Sequence, residues 1–118
     1  MDELLKQIDT RVRAAVYSTC RNKKDSRAVE LLHAFCAVNS LRCSFYLDKV
    51  ISKDGSSAVW LKLLDDVSQG KFDVVLTWLD LPEMAKWCAL HNTRFEQVDI
   101  FLWSQAIRTS NTDMMRQY

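Results

Sequence analysis

The stretch "GKFDVVLTWLDLPEMAK" (residues 70–86) holds a strand, a break and a helix start in close succession. Val74, Val75 and Leu76 form an unbroken apolar run, the pattern of a strand covered on both faces. Asp80-Leu81-Pro82 interrupts it. Proline has no N–H to lose at the first position of a helix, so a helix is predicted from Pro82 with Met84, Trp87 and Cys88 inward. In an α/β protein that handles phosphate, the chain leaving such a strand usually carries arginines, glycines or a nucleophile. Here it carries Leu, Pro, Glu and Met.

Three further runs read as strands: "VRAAVY" (12–17), "RCSFYL" (42–47) and "VDIFLW" (98–103), alongside "FDVVLTW" (72–78). Between them lie segments of helical period. Asp25 or Ser26 can cap a helix with Val29, Leu32, Phe35 and Cys36 on one face. Ser56 or Ser57 can cap the next, whose apolar positions are Trp60, Leu63, Leu64 and Val67, with Gly70 as its stop. One helix between each pair of strands is a βαβ series, hence a parallel sheet with right-handed crossovers. The expected fold is a single three-layer α/β/α domain over residues 1–118, with a four-stranded, mainly parallel sheet and flavodoxin- or Rossmann-like topology. Residues 1–10 are expected to form a short helix and 112–118 a tail or truncated helix.

Composition limits the function classes. Sixteen basic and 15 acidic residues leave a net charge of +1, so no whole-molecule attraction to nucleic acid or anionic membrane arises. No apolar run approaches the ~20 residues of a membrane span. The opening "MDELLKQIDT" is acidic and amphipathic, unlike a secretory signal, and the expected location is the cytoplasm. Cys20, Cys36, Cys43 and Cys88 form no C-x-x-C pair and are read as buried thiols. With only His33 and His91 to help, no metal site and no cofactor is expected.

The order "AAVYSTCRN", "FYLDKVISKDGSSAVWLKLLDDVSQGKFDVVLTWLDLPEM" and "VDIFLW" resembles the catalytic domain of the serine recombinases, the resolvase and invertase family, over about residues 11 to 112. Framework positions match at Tyr17, Asp48, Leu63, Leu64, Gly70, Asp73, Leu79 and Asp80. Chemical positions do not. Counting from Tyr17, the family's first arginine falls on Thr19 and its nucleophilic serine on Arg21. Its later arginines fall on Ser57, Leu81 and Met84. Phosphoryl transfer needs a placed nucleophile and cations over the equatorial oxygens, and each lost contact typically costs ~3 kcal/mol of transition-state stabilisation. The resemblance therefore implies a degenerate member that is not an enzyme, bacterial and of mobile-element origin. The family's long subunit-pairing helix would begin in "NTDMMRQY", so family dimerisation is not carried over. The oligomeric state stays open, a homodimer included.

Two surfaces are then expected. Trp78, Leu81, Pro82, Met84 and Trp103 would form an apolar contact surface for a protein partner where the family has its cationic pocket. Arg21, Lys23, Lys24 and Arg27, in "RNKKDSR", would offer a weak, non-specific anion or nucleic-acid contact. Asp48 and Asp80 follow strands; capping is their expected role, a paired-carboxylate metal site the alternative. The first reading is a non-catalytic regulatory or accessory factor. The second is a small nucleic-acid-binding regulator using residues 21–27. A third, an enzyme taking a small phosphorylated ligand at another site, is weakened by the lack of a Gly-rich loop after the first strand.

Overall fold

The structure is a computed structural model that describes residues 10–50 and 57–116. The short helix expected before Thr10 lies outside them. The chain alternates β1 (Arg13–Thr19), α1 (Lys23–Val38), β2 (Arg42–Asp48), α2 (Ala58–Ser68), β3 (Val74–Thr77), α3 (Pro82–Leu90), β4 (Arg94–Gln97) and α4 (Ile100–Arg116). All pairings are parallel and the sheet order is β2-β1-β3-β4.

The period-2 alternation of strand side chains sorts the core into two faces. Ala14, Val16, Val74 and Leu76 pack with Ala28, Leu32 and Cys36 of α1 and Ile100 of α4. Ala15, Tyr17 and Val75 pack with Trp60, Leu63 and Val67 of α2 and Met84 and Cys88 of α3. The result is the three-layer arrangement expected from the βαβ series. β1 and β3 are central and buried on both faces, while β2 and β4 are edges with half-exposed side chains.

One device ends three of the helices. After α2, the Gly70 N–H bonds the Val67 carbonyl and the Lys71 N–H bonds that of Asp66, with Gly70 at φ +72°. This is a Schellman closure, and a residue in the left-handed region lets the chain turn straight into the next strand. Ser40 (φ 53°) after α1 and Asn92 (φ 56°) after α3 repeat it, the Leu41 and Thr93 N–H groups bonding Cys36 and Cys88.

Two expectations are corrected. "VDIFLW" is no strand: the Asp99 carboxylate accepts the Leu102 N–H at 3.2 Å and its carbonyl accepts the Trp103 N–H at 2.9 Å, which starts α4. The fourth strand is instead "RFEQ" at 94–97. Accordingly α4 begins at Ile100, well ahead of residue 112, and the described part of 112–118 continues it. Cysteine burial is also mixed, since Cys20 is exposed and Cys43 half-buried, while Cys36 and Cys88 lie in the core. Burial raises the Cys88 thiol to about 11.

α2 is tied to the sheet edge by a buried carboxylate. Asp66 accepts from the Tyr46 hydroxyl at 2.6 Å, Lys71 at 2.9 Å and Lys62 at 3.1 Å. Burial disfavours its charge, but these three donors outweigh that and hold it down at about 2. Tyr46→Phe is expected to lower the unfolding free energy by about 1.5–3 kcal/mol, the worth of a hydrogen bond to a charged acceptor. Urea titration of both proteins reads this directly, and an unchanged midpoint would refute it.

Candidate functional site

In an open parallel sheet, the helices leaving two adjacent strands that lie on opposite faces open a crevice beyond the strands' carboxyl ends. Here α1 leaves β1 toward one face and α3 leaves β3 toward the other, and β1 and β3 are neighbours. The loops at 20–22 and 78–81 therefore flank the crevice, as the sequence motifs imply.

The β1 end supplies the crevice floor. Ser18 and Thr19 are both fully buried. The Trp78 indole N–H donates to Ser18 Oγ at 2.9 Å, tying the 78–81 loop to the end of β1, and Ser18 donates to the Thr19 carbonyl. Thr19 donates to Asp25 Oδ2 at 2.8 Å. Asp25, one turn into α1, also accepts from the Arg21 backbone N–H at 2.9 Å and from Arg21 Nε at 2.8 Å. Arg21, together with its own N–H and Thr19, holds the carboxyl down at about 2 despite burial. Asn22, not Asp25 or Ser26, caps α1 by accepting the Asp25 N–H at 2.9 Å.

Asp48 closes the β2 side. It is buried and accepts from the Tyr17 hydroxyl at 3.0 Å, from Ser57, and from the Lys49 N–H at 2.9 Å. Burial first, then Asp48, pushes the Tyr17 hydroxyl well above the usual phenol range. Ser57 in turn caps α2, accepting the Trp60 N–H at 3.3 Å. Asp48 thus positions a tyrosine and a helix start. Among the described residues, no group of three or more His, Cys, Asp or Glu could hold a metal ion. Asp80 is exposed and makes no cap: the N-cap of α3 is Leu81, without a side-chain bond.

The five residues expected to form one apolar surface do not share an exposed face, although Trp78 packs against the core cluster that holds Leu81 and Met84. Leu81 (4% exposed) and Met84 (0%) are core, packed under the sheet with Trp60 and Cys88. Pro82 is exposed, and Trp103 sits in α4 with its ring 5.3 Å from Phe35. Only Trp78 borders the crevice. It meets Phe101 edge-to-face at 5.7 Å, and the Lys24 ammonium lies 5.8 Å from both ring centroids. A cleft of about 370 Å³ opens here, lined by Lys24, Trp78, Gln97, Val98, Asp99 and Phe101 among others. The sequence hides Phe101 because its segment reads as a strand; the signal for a helix is Asp99, a good N-cap residue directly before it.

The four expected cations are likewise dispersed. Arg21 pairs with Asp25 and Arg27 with Glu30, Lys24 leans over the two rings, and Lys23 is exposed. No described helix is long and apolar enough to cross a membrane.

No family model and no curated protein matches the sequence. Among solved structures, the chain is similar to the N-terminal catalytic domain of TP901-1 integrase, with a TM-score of 0.59 and 11% identity over 89% of this chain and 97% of that one. At that identity the likeness is one of fold, and the fold is the resolvase-like α/β catalytic-domain architecture.

Proposed function

We propose that this chain is a non-catalytic recombinase-like domain that works by protein contact, as a regulatory or accessory factor derived from a mobile element. The observation that carries the reading is Arg21. It stands where the resemblance puts the nucleophilic serine, and its guanidinium is bound to a buried carboxylate. The neighbouring hydroxyls give no substitute, since Ser18 and Thr19 are buried and already donate to the Thr19 carbonyl and Asp25. Where cations would meet a phosphodiester, Leu81 and Met84 face the core instead. Among the described residues, the exposed Cys20 thiol at this strand end is directed to the Asp48 carbonyl, and Lys24 leans over aromatic rings, so neither is arranged as the nucleophile and cations of phosphoryl transfer.

The contact surface is the cleft between Trp78 and Phe101. Half-exposed aromatic rings beside a single cation are typical of protein interfaces and poor phosphate sites. Incubation with supercoiled plasmid is expected to give no nicks, no linear product and no covalent protein–DNA adduct. Capture of a protein partner from the native host is expected to fail with Phe101→Glu and to survive Pro82→Ala. Cleavage by the wild-type chain would overturn the non-catalytic reading; a partner retained by folded Phe101→Glu would overturn the placement of the contact.

A further inference from the structure

The opposite end of the sheet carries a second cleft, of about 390 Å³, lined by Arg13, Arg42, Ser44, Tyr46, Lys71 and Phe72. It lies beside the Schellman turn at Gly70 that ends α2 and leads into β3. Arg13 and Arg42 are opposite each other in the β1–β2 register. Lys71 enters from the turn between α2 and β3, so three cations converge from three separate elements.

Arg13 and Lys71 are held in place. Arg13 donates Nε and a terminal nitrogen to Asp73, at 3.3 and 3.0 Å, and its other terminal nitrogen to the Gly70 carbonyl at 3.1 Å. Those bonds use three of the five N–H groups of a guanidinium. Lys71 gives one N–H to Asp66 at 2.9 Å, which leaves two. Asp73 balances Arg13, whereas Asp66 is shared between Lys62 and Lys71, so that trio keeps a net positive charge. On the apolar side, Tyr46 and Phe72 stand edge-to-face at 5.9 Å, a perpendicular pair that forms an aromatic corner. Fixed donors beside an aromatic corner, in a cleft of this volume, suit a small ligand with an anionic and a planar part.

We propose that this cleft binds a nucleoside phosphate, its phosphates between Arg13, Arg42 and Lys71 and its base against Phe72 and Tyr46. The site lies away from the crevice between β1 and β3 and stands whether or not that crevice is inert. The full chain would be titrated calorimetrically at low salt with ADP, adenosine, pyrophosphate and a short single-stranded oligonucleotide. Saturable one-to-one binding of ADP is expected, with pyrophosphate weaker and adenosine weaker still. Arg42→Gln and Lys71→Gln should each weaken ADP about tenfold, as loss of a charge-assisted phosphate contact does. Phe72→Leu should weaken ADP while sparing pyrophosphate, with circular dichroism confirming each fold. The proposal is overturned by three results: no saturable ADP binding to millimolar concentration, equal affinity in folded Arg42→Gln and Lys71→Gln, or an oligonucleotide that binds and is not displaced by ADP.

Discussion

Asp25→Ala is expected to lower the unfolding free energy by about 3 kcal/mol, the cost of removing one partner from a buried, hydrogen-bonded charge network. The carboxylate is 1% exposed and gathers three donors of different kinds: a buried hydroxyl, a backbone N–H and a guanidinium. Its removal strands the Thr19 hydroxyl in the core and frees the loop at 20–22 from α1. Arg21→Ala should cost less, because the Arg21 side chain is already 39% exposed and Asp25 keeps its other two donors. Asp25→Asn should fall between them, since the amide oxygen still accepts from Thr19 but no longer attracts Arg21. Urea unfolding of the three variants gives the order. A loss below about 1 kcal/mol for Asp25→Ala would show that the network is dispensable.

The same carboxylate sets part of the acid response. Its native pKa, about 2, lies below the unfolded value, so its contribution is complete above the ordinary carboxylate range and is lost as pH falls toward 2. Asp66 has the same depression and adds a second loss in the same window. The wild-type chain should therefore lose stability between about pH 4 and pH 2, and Asp25→Ala should flatten that decline.

The central layers are legible in the sequence because β1 and β3 are covered on both faces, which demands apolar runs such as Ala14–Tyr17 and Val74–Leu76. The edge is not. β4 reads Arg-Phe-Glu-Gln, and a solvated edge strand carries charge that hides it from a search for apolar runs. The neighbouring "VDIFLW" has strand-like composition, yet Ile100 is buried and Leu102 is 61% exposed, as a helix stripe arranges them. At the crevice, the resemblance finds the right loops but not the direction of their side chains. Leu81, Met84 and Cys88 recur at i, i+3 and i+7, a spacing that places all three on one buried face. Exposure of Leu81 and Met84 was thus at odds with a period already visible in the chain. The use of Asp25 as a lock on Arg21 depends on β1 ending beside the first turn of α1, a tertiary fact that spacing alone does not state.

Placing arginines at the two positions where the serine recombinases carry them is expected to unfold the protein or weaken its fold. Met84→Arg places a guanidinium at a site with no exposure, among Trp60, Leu63, Val67 and Cys88. The substitution forfeits the burial of a large apolar side chain, worth about 1.5–3 kcal/mol, and adds the desolvation of an unpaired charge, several kcal/mol more. The sum is comparable with the entire 5–15 kcal/mol stability of an ordinary domain. Leu81→Arg meets the same obstacle at 4% exposure, eased by its place at the N-cap of α3, from which a long side chain can reach toward solvent. Met84→Arg should accordingly lose its cooperative thermal transition, with Leu81→Arg folded but weakened and Pro82→Arg, on the exposed face of the same turn, close to wild type. A folded Met84→Arg that lost under about 2 kcal/mol would mean that α3 can turn this face outward. With the stripe inward, positions 81 and 84 belong to the core under the sheet, and the core there is filled by carbon.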